Sequence, residues 1–213
     1  MQPLSPLTET PSLDKLAYNK IKEAILSFRF SPGQILLEGD LATQLGISKT
    51  PVRDALMRLE KEGLVSRVPY KGTFVSDITK EDMVEVFQIR IVLEGLAIQL
   101  ACSNLNSNNY EHLKGLIFKQ SKALKEKDVS LASAINNDFH NHVIDACGNQ
   151  RLKQLLHNLD DHLKRYRLLS ISQGFRMEKA IAEHTAILEA LIARDSEKAT
   201  QEMKSHLESA MED

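Results

Sequence analysis

Residues 38–75 read EGDLATQLGISKTPVRDALMRLEKEGLVSRVPYKGTFV and hold the strongest structural pattern of the chain. Residues 38–45 place apolar side chains on one helical face, and Gly46 follows as a residue suited to end a helix. Ser48 is a good N-cap for a second helix, and Pro51 lies in its first turn, where a missing N–H costs little. The pattern predicts two short helices joined by a tight turn.

The second helix is predicted to have an apolar and a cationic face. Val52, Leu56 and Leu59 recur at helical spacing. The opposite face carries Lys49, Thr50, Arg53 and Arg58. Cationic groups and small hydroxyls reach phosphates and base edges when the start of a helix enters the major groove of DNA. The alternative is an ordinary amphipathic helix pair with a solvated charged face.

A hairpin is predicted directly after Gly63. Residues 64–68 and 73–76 have the pattern of strands, and the segment Pro69-Tyr70-Lys71-Gly72 joins them. Arg67 and Lys71 make the tip of this hairpin basic, as in a wing that touches the DNA backbone or minor groove. DNA binding is favoured by four features together: the N-cap, the proline in the first turn, the basic residues of that turn and the wing.

The same segments resemble the winged-helix domain of the GntR family of bacterial transcription regulators, over residues 16–76. The matching residues are Pro32-Gly33, Leu41-Ala42, LGISKTPVRDAL at 45–56, LEKEGL at 59–64 and GTFV at 72–75. The resemblance implies that DNA is contacted by Ser48, Lys49, Thr50, Arg53, Lys71 and Gly72. Two departures concern cations: Lys49 stands where the family usually has Arg, and Gly39 stands where some members have Arg.

Composition is consistent with a cytoplasmic, two-domain protein. Of the 213 residues, 1–76 hold 10 Lys/Arg and 8 Asp/Glu, and the remainder hold 17 and 21. Cys102 and Cys147 do not form a disulfide framework. Residues 1–12 are predicted to be a disordered arm and have no signal-peptide pattern. The most apolar run, 91–102, is too short for a bilayer, so no membrane partner is expected.

The predicted architecture is mainly α: a winged helix-turn-helix domain at 13–76, a connector at 77–79 and an all-helical antiparallel bundle at 80–213. The first domain begins with a helix at 13–28, whose apolar stripe is Leu16, Ile21, Ala24, Ile25 and Phe28. Helices of the bundle are predicted at 80–103, 108–127, 131–147, 150–169, 175–194 and 197–210. A single helix-turn-helix makes few contacts, so a homodimer that binds a palindromic operator in double-stranded DNA is expected.

Three histidines of the bundle have informative spacing. His184 and His206 are equidistant from Asp195, in a predicted turn, so an antiparallel hairpin places them at the same height. Asn136 and His140 share a face of another helix at spacing i,i+4. Imidazoles suit zinc, nickel or copper, with oxygen donors completing the shell. Spacing alone leaves open whether these are ligands or ordinary buried histidines.

A second resemblance bears on this choice. The segments Arg90-Ile91-Val92-Leu93-Glu94, Phe139-His140, Gly148-Asn149, Glu183-His184 and His206-Leu207 are similar to the FCD ligand-binding domain of the FadR-type branch, in its six-helix, VanR-like form. It implies a divalent metal, zinc or nickel, held by Asn136, His140, His184 and His206. Many members have Asp where this chain has Asn136, and a neutral amide binds more weakly. Protonated histidines that hold an anion are the metal-free alternative.

Arg90 has two interpretations: a salt bridge with Glu94 at i,i+4, or, from the resemblance, an anchor for the carboxylate of a small effector. The leading functional hypothesis is a ligand-responsive transcription regulator. The alternatives are a DNA-binding regulator with a vestigial, metal-free pocket and a three-His metalloenzyme. The enzyme is disfavoured because the sequence contains no HExxH motif and no evident general base near the site.

Overall fold

The computed structural model describes residues 12–169 and 173–212, with side chains described outside 167–175. These residues form nine helices and three strands. In chain order they are α1 Leu13–Leu26, β1 Ile35–Leu36, α2 Glu38–Leu45, α3 Lys49–Lys61, β2 Val65–Val68, β3 Gly72–Val75, α4 Lys80–Asn104, α5 Ser107–Lys125, α6 Val129–Ala146, α7 Gln150–Leu169, α8 Gln173–Ile192 and α9 Ser196–Glu212. Residues 1–11 of the predicted arm 1–12 lie outside the described residues.

The chain divides into two compact units, Met1–Ile78 and Thr79–Asp213. The division falls inside the predicted connector 77–79. Thr79 and Asp82 form a reciprocal capping box at the start of α4, with each side chain bonded to the other residue's backbone N–H. This cap explains why the long helix of the second unit begins at Lys80.

The first unit is a helix-turn-helix with a small sheet. α1 packs on α3, and α2 packs on α3 across a turn where Gly46 has φ +66°. The left-handed conformation at Gly46 ends α2 as the sequence predicted. Val52, Leu56 and Leu59 are fully buried in the core of this unit.

Three details of the first unit differ from the sequence predictions. α1 ends at Leu26, so Phe28, expected on its apolar stripe, lies beyond the helix with φ +56°. Leu16, expected on the buried stripe of α1, is 46% exposed, because Ala17 and Tyr18 turn inward instead. The sheet also has a third strand, β1, which pairs antiparallel with β3 and gives the strand order β1-β3-β2. Two residues are too few to show a strand period, so β1 could not be recognised from the pattern.

The second unit is a helical bundle, and its helix boundaries lie within two residues of those predicted. α4 packs against α6, α7 and α9, while α5 packs against α6 and α8. α4 is long and apolar enough to cross a membrane, but 44% of its most apolar window is buried inside the bundle. A central bundle helix needs the same length and composition.

Candidate functional site

The surface at the start of α3 carries the residues predicted to bind DNA. Ser48 occupies the N-cap position with extended backbone, although its side chain makes no capping hydrogen bond. Lys49, Thr50 and Arg53 follow on the exposed side of the first turns. Lys71 and Gly72 lie at the turn between β2 and β3, where Lys71 is exposed and Gly72 has φ +118°. Only glycine adopts this conformation without strain.

The side chain of Lys49 lies beside Gly39. A Cβ at position 39 would come within 3.6 Å of the Lys49 Cε and 3.8 Å of its Nζ. The Lys49 ammonium of α3 therefore lies in contact distance of the position that a side chain at residue 39 would occupy.

Arg58 and Arg53 have different surroundings. The Arg58 guanidinium lies 3.8 Å from the centre of the Tyr18 ring, and its Nε lies 3.4 Å from Glu62 Oε1. Tyr18 donates its hydroxyl hydrogen bond to Glu62, so this cluster ties α1 to α3. Arg53 instead meets Glu38 at the start of α2 on the exposed surface.

The three predicted histidines meet in the core of the second unit. His140 from α6, His184 from α8 and His206 from α9 are all buried, and their nearest ring nitrogens lie within 4.8 Å of one another. Asp195 does lie in the short connection between α8 and α9. Equal distance from that turn therefore placed His184 and His206 at one height, as the sequence predicted.

Each of the three imidazoles is held at Nδ1 by an acceptor. His140 Nδ1 lies 2.7 Å from Glu94 Oε2, and His206 Nδ1 lies 2.6 Å from Glu183 Oε2. A carboxylate only accepts, so both Nδ1 atoms carry the proton. His184 Nδ1 lies 3.3 Å from the side-chain oxygen of Gln120. We assign the tautomers from these partners.

The Nε2 atoms consequently carry lone pairs that point inward. His140 Nε2 and His206 Nε2 are 3.1 Å apart, and His184 Nε2 is buried with no hydrogen-bond partner among the described residues. Two lone pairs facing each other repel unless a proton or a cation lies between them. Three neutral imidazoles with outer N–H groups held by carboxylate or amide oxygens are the usual donor set of a transition-metal site.

The pKa values fit neutral rings beside charged carboxylates. Burial lowers the pKa of His140 to about 4, against the opposing effect of Glu94, and lowers the pKa of His184 well below its usual value. Burial also lowers the pKa of His206, although its hydrogen bond to Glu183 opposes this. Burial alone would raise the pKa of Glu94, but the positive charge of Arg90 and the hydrogen bonds from Arg90 and His140 outweigh it and hold that pKa at about 2.

Two arginines, Arg90 of α4 and Arg176 of α8, bond to the carboxylates that hold the histidines. The Arg90 guanidinium bonds to Glu94, which also holds His140. Arg176 Nη1 donates to Glu183 Oε2 at 2.8 Å, and its Nη2 donates to the backbone oxygen of His206 at 3.0 Å. Each carboxylate thus bridges one arginine and one histidine. The salt-bridge interpretation of Arg90 is confirmed, and its role toward an effector stays a prediction.

Asn136, the predicted fourth ligand, is buried beside this network. Its side-chain oxygen lies 3.5 Å from Gln120 Nε2, and Gln120 in turn holds His184. An amide oxygen has two lone pairs, so this contact does not use up its capacity to coordinate.

Two carboxylates that the sequence did not place at the cluster stand beside the histidines. Glu94 and Glu183 both reach ring nitrogens, although on the side that faces away from the other rings. Sequence neighbours on a helix point in different directions, so Glu183 does not reach the adjacent His184, and the packing of α8 on α9 brings it to His206 instead. Arg176 and Gln120 were also missed. The spacing i,i+7 between Arg176 and Glu183, two helical turns, was the available signal.

Comparisons with known proteins agree with this architecture. The model of the gntR family of bacterial regulatory proteins matches residues 13–75, and the model of the FCD domain matches residues 85–209. The chain is 30% identical over 191 residues to the HTH-type transcriptional regulator YdhC of Bacillus subtilis, covering 89% of this chain and 85% of that protein. The chain belongs to the GntR family and carries an FCD domain.

Other relatives and solved structures fall in the same family. A probable D-xylose utilization operon transcriptional repressor of Paenarthrobacter nicotinovorans is 30% identical, over 84% of this chain and 78% of the relative. The structure of McbR/YncC from E. coli superposes with a TM-score of 0.75 at 25% identity, over 95% of this chain and 97% of that one. The two curated relatives are a transcriptional regulator and a probable transcriptional repressor, not enzymes, so the chain is a bacterial HTH-type regulator.

Proposed function

We propose that this GntR-family protein binds an operator as a homodimer and responds to a small carboxylate held at the histidine cluster of its FCD domain. The observation that carries the sensory part is the buried set of three imidazoles whose Nδ1 atoms are all held by acceptors. Repression is the mode of action we infer, because the curated relatives that state a mode include repressors. We expect the protein to act in the cytoplasm, where its operator lies.

The donor set fits a divalent transition metal. His140, His184 and His206 would hold it through Nε2, with Asn136 available as an oxygen donor. Zinc or nickel suits such a nitrogen-rich site. His184 Nε2 is buried with no hydrogen-bond partner among the described residues. A bound cation would satisfy its lone pair, which otherwise carries the cost of burial without a partner. A bound metal would act as a Lewis acid toward an anionic ligand.

Charge around the cluster favours a carboxylate ligand. Arg90 and Arg176 are both buried, and each is paired with a carboxylate that also holds a histidine. An incoming carboxylate can therefore compete for the same guanidinium. Arg90 is the effector anchor that we propose, since it belongs to α4, the first helix after the DNA-binding unit.

An exposed face of α4 supports dimerisation. Ile89, Val92 and Leu96 are 51%, 70% and 43% exposed and recur at spacing i, i+3, i+7. A helix that is apolar on its outer face as well as in the core is normally covered on both sides. We propose that a second copy of the chain covers it. An effector at Arg90 would then act on the helix that forms the dimer contact.

The test is a titration of DNA binding by fluorescence anisotropy. The probe is a duplex that the wild-type protein recovers from a randomised pool, with a scrambled duplex for comparison. Small carboxylic acids are then added to the metal-loaded protein. We expect at least one acid to change operator affinity in wild type and not in Arg90→Ala. Unchanged affinity across the acids would refute sensing and leave DNA binding standing.

Metal analysis separates the sensor from a regulator with a vestigial pocket. Purified protein is loaded with zinc or nickel, dialysed and analysed for bound ion. Retention near one ion per chain supports the proposal, whereas a metal-free protein that still binds its operator supports the vestigial alternative.

A further inference from the structure

Glu38 and Arg53 form an ion pair on the exposed surface of the first unit. Arg53 Nη2 donates to Glu38 Oε2 at 2.8 Å, and Arg53 Nε lies 3.1 and 3.2 Å from the two carboxylate oxygens. The contact is side-on: it uses Nε and one terminal nitrogen of the guanidinium. The two residues are 15 positions apart, so only the packing of α2 on α3 brings them together.

The side-on contact leaves one guanidinium edge available. Arg53 Nη1 makes no hydrogen bond to any residue that the structure describes, and the side chain is 53% exposed. A guanidinium has a second pair of parallel N–H groups at its end, formed by Nη1 and the outer hydrogen of Nη2. This end-on pair matches the O6 and N7 acceptors of guanine in the major groove. Glu38 can therefore hold the side of the Arg53 guanidinium while the end of the same guanidinium contacts a base.

Base recognition is favoured when the Arg53 side chain is already fixed in one orientation. An arginine on a helix surface has several rotatable bonds, and ordering it on binding costs conformational entropy. A side chain already ordered by Glu38 loses less on binding. It is also less able to swing to a phosphate, which would give affinity without specificity.

The two lysines predicted to contact DNA are not held in the same way. Lys49 acts on Glu38 through its charge, and neither Lys49 nor Lys71 makes a hydrogen-bonded ion pair with a residue that the structure describes. This difference fits a division of roles, since a phosphate contact needs a charge nearby and a base contact needs a defined direction.

We infer that Glu38 is a positioning residue that presents the end of the Arg53 guanidinium to a guanine of the operator. The inference rests on the proposed operator binding. It assigns Glu38 a role in specificity although its own charge repels DNA. Removing that charge should therefore raise affinity for DNA in general while lowering the preference for the operator.

The test compares wild type, Glu38→Gln, Arg53→Ala and the double variant. Each is titrated with the selected duplex and with a scrambled duplex of equal length, and the ratio of the two affinities is the specificity. We expect Glu38→Gln to lower this ratio about tenfold, while binding to scrambled duplex stays equal or tightens. In the Arg53→Ala background, Glu38→Gln should lower the ratio no further. Glu23→Gln removes an exposed acid of α1 outside the pair. It should change neither the specificity ratio nor the affinity for scrambled duplex.

Three results would overturn the inference. An unchanged ratio with unchanged affinities in Glu38→Gln makes the pair a bystander, whereas an unchanged ratio with equal tightening on both duplexes makes it an inhibitory contact. A further loss when Glu38→Gln is added to Arg53→Ala means that Glu38 acts without Arg53. If wild type itself does not prefer the selected duplex, operator binding fails before Glu38 is tested. Thermal unfolding of each variant shows whether the unit still folds.

Discussion

His140 and His206 face each other with their Nε2 atoms 3.1 Å apart, while carboxylates hold both rings from behind at Nδ1. A neutral pair in this arrangement brings two lone pairs together, and an added proton is opposed by burial, which lowers both pKa values. A divalent ion resolves the conflict without protonating either ring. The predictions about the second unit follow from this relationship.

Loss of one imidazole should remove the metal. We expect His184→Ala to retain little zinc or nickel after dialysis, because two nitrogens bind far more weakly than three. The measurement is elemental analysis of the purified protein. His157→Ala is the control, since His157 is exposed on α7. Equal metal content in both variants would exclude the histidine cluster as the binding site.

The carboxylate behind His206 should tune metal affinity without being a ligand. Glu183→Gln keeps the size of the side chain but weakens its hydrogen bond to the N–H of the His206 ring. Mutation of such an outer hydrogen-bond partner typically lowers metal affinity about 10–100-fold. Competition against a coloured chelator measures the effect. Glu178→Gln, at an exposed position on the same helix, should match wild type. Wild-type affinity in Glu183→Gln would mean that its hydrogen bond does not support the site.

The metal-free protein should lose stability as the pH falls. Burial lowers the pKa of His140 from 6.5 to about 4, so between these values the unfolded chain binds a proton that the folded chain does not. The free energy of unfolding is therefore highest above pH 6.5 and declines toward pH 4. Chemical unfolding in chelator across this range should show a weaker pH dependence for His140→Gln, by about one proton. Identical slopes would contradict neutral burial of His140.

A charge on the outer face of α4 should separate the dimer. Val92 is 70% exposed, and we expect Val92→Asp to elute as a monomer while remaining helical, because an interface does not bury an unpaired carboxylate cheaply. Light scattering after gel filtration gives the mass. Phe118→Asp, at a site 71% exposed on α5, should stay dimeric. The reverse pattern would move the interface to α5.

The wing lysine should contribute charge rather than specificity. Lys71→Ala should weaken binding to selected and scrambled duplexes alike and reduce the salt slope by about one unit. Anisotropy titrations at several salt concentrations measure this slope. Lys119→Ala, a charge-matched change on α5, should leave it unaltered. A loss confined to the selected duplex would instead assign base recognition to Lys71.

The local structure of this protein was largely predictable because its signals are short in range. Helical spacing, the caps at Gly46 and Thr79 and the turn around Asp195 each depend on a few neighbouring residues. The antiparallel turn even placed His184 and His206 together, since equal distance from a turn gives equal height. The buried side of α1 was less predictable, because Leu16 and Tyr18 are both apolar enough for a core and packing selected Tyr18.

What the sequence determined by itself was therefore the order of the helices and of the two hairpin strands, the cationic start of α3 and the identity of the three histidines. Only the tertiary structure decided which acid meets which cation: Glu38 with Arg53, and Glu183 with His206 rather than with the adjacent His184. Spacing along a helix specifies the direction of a side chain but not what the neighbouring helix places there. The partner is chosen where two helices pack, and so is the chemistry of the site.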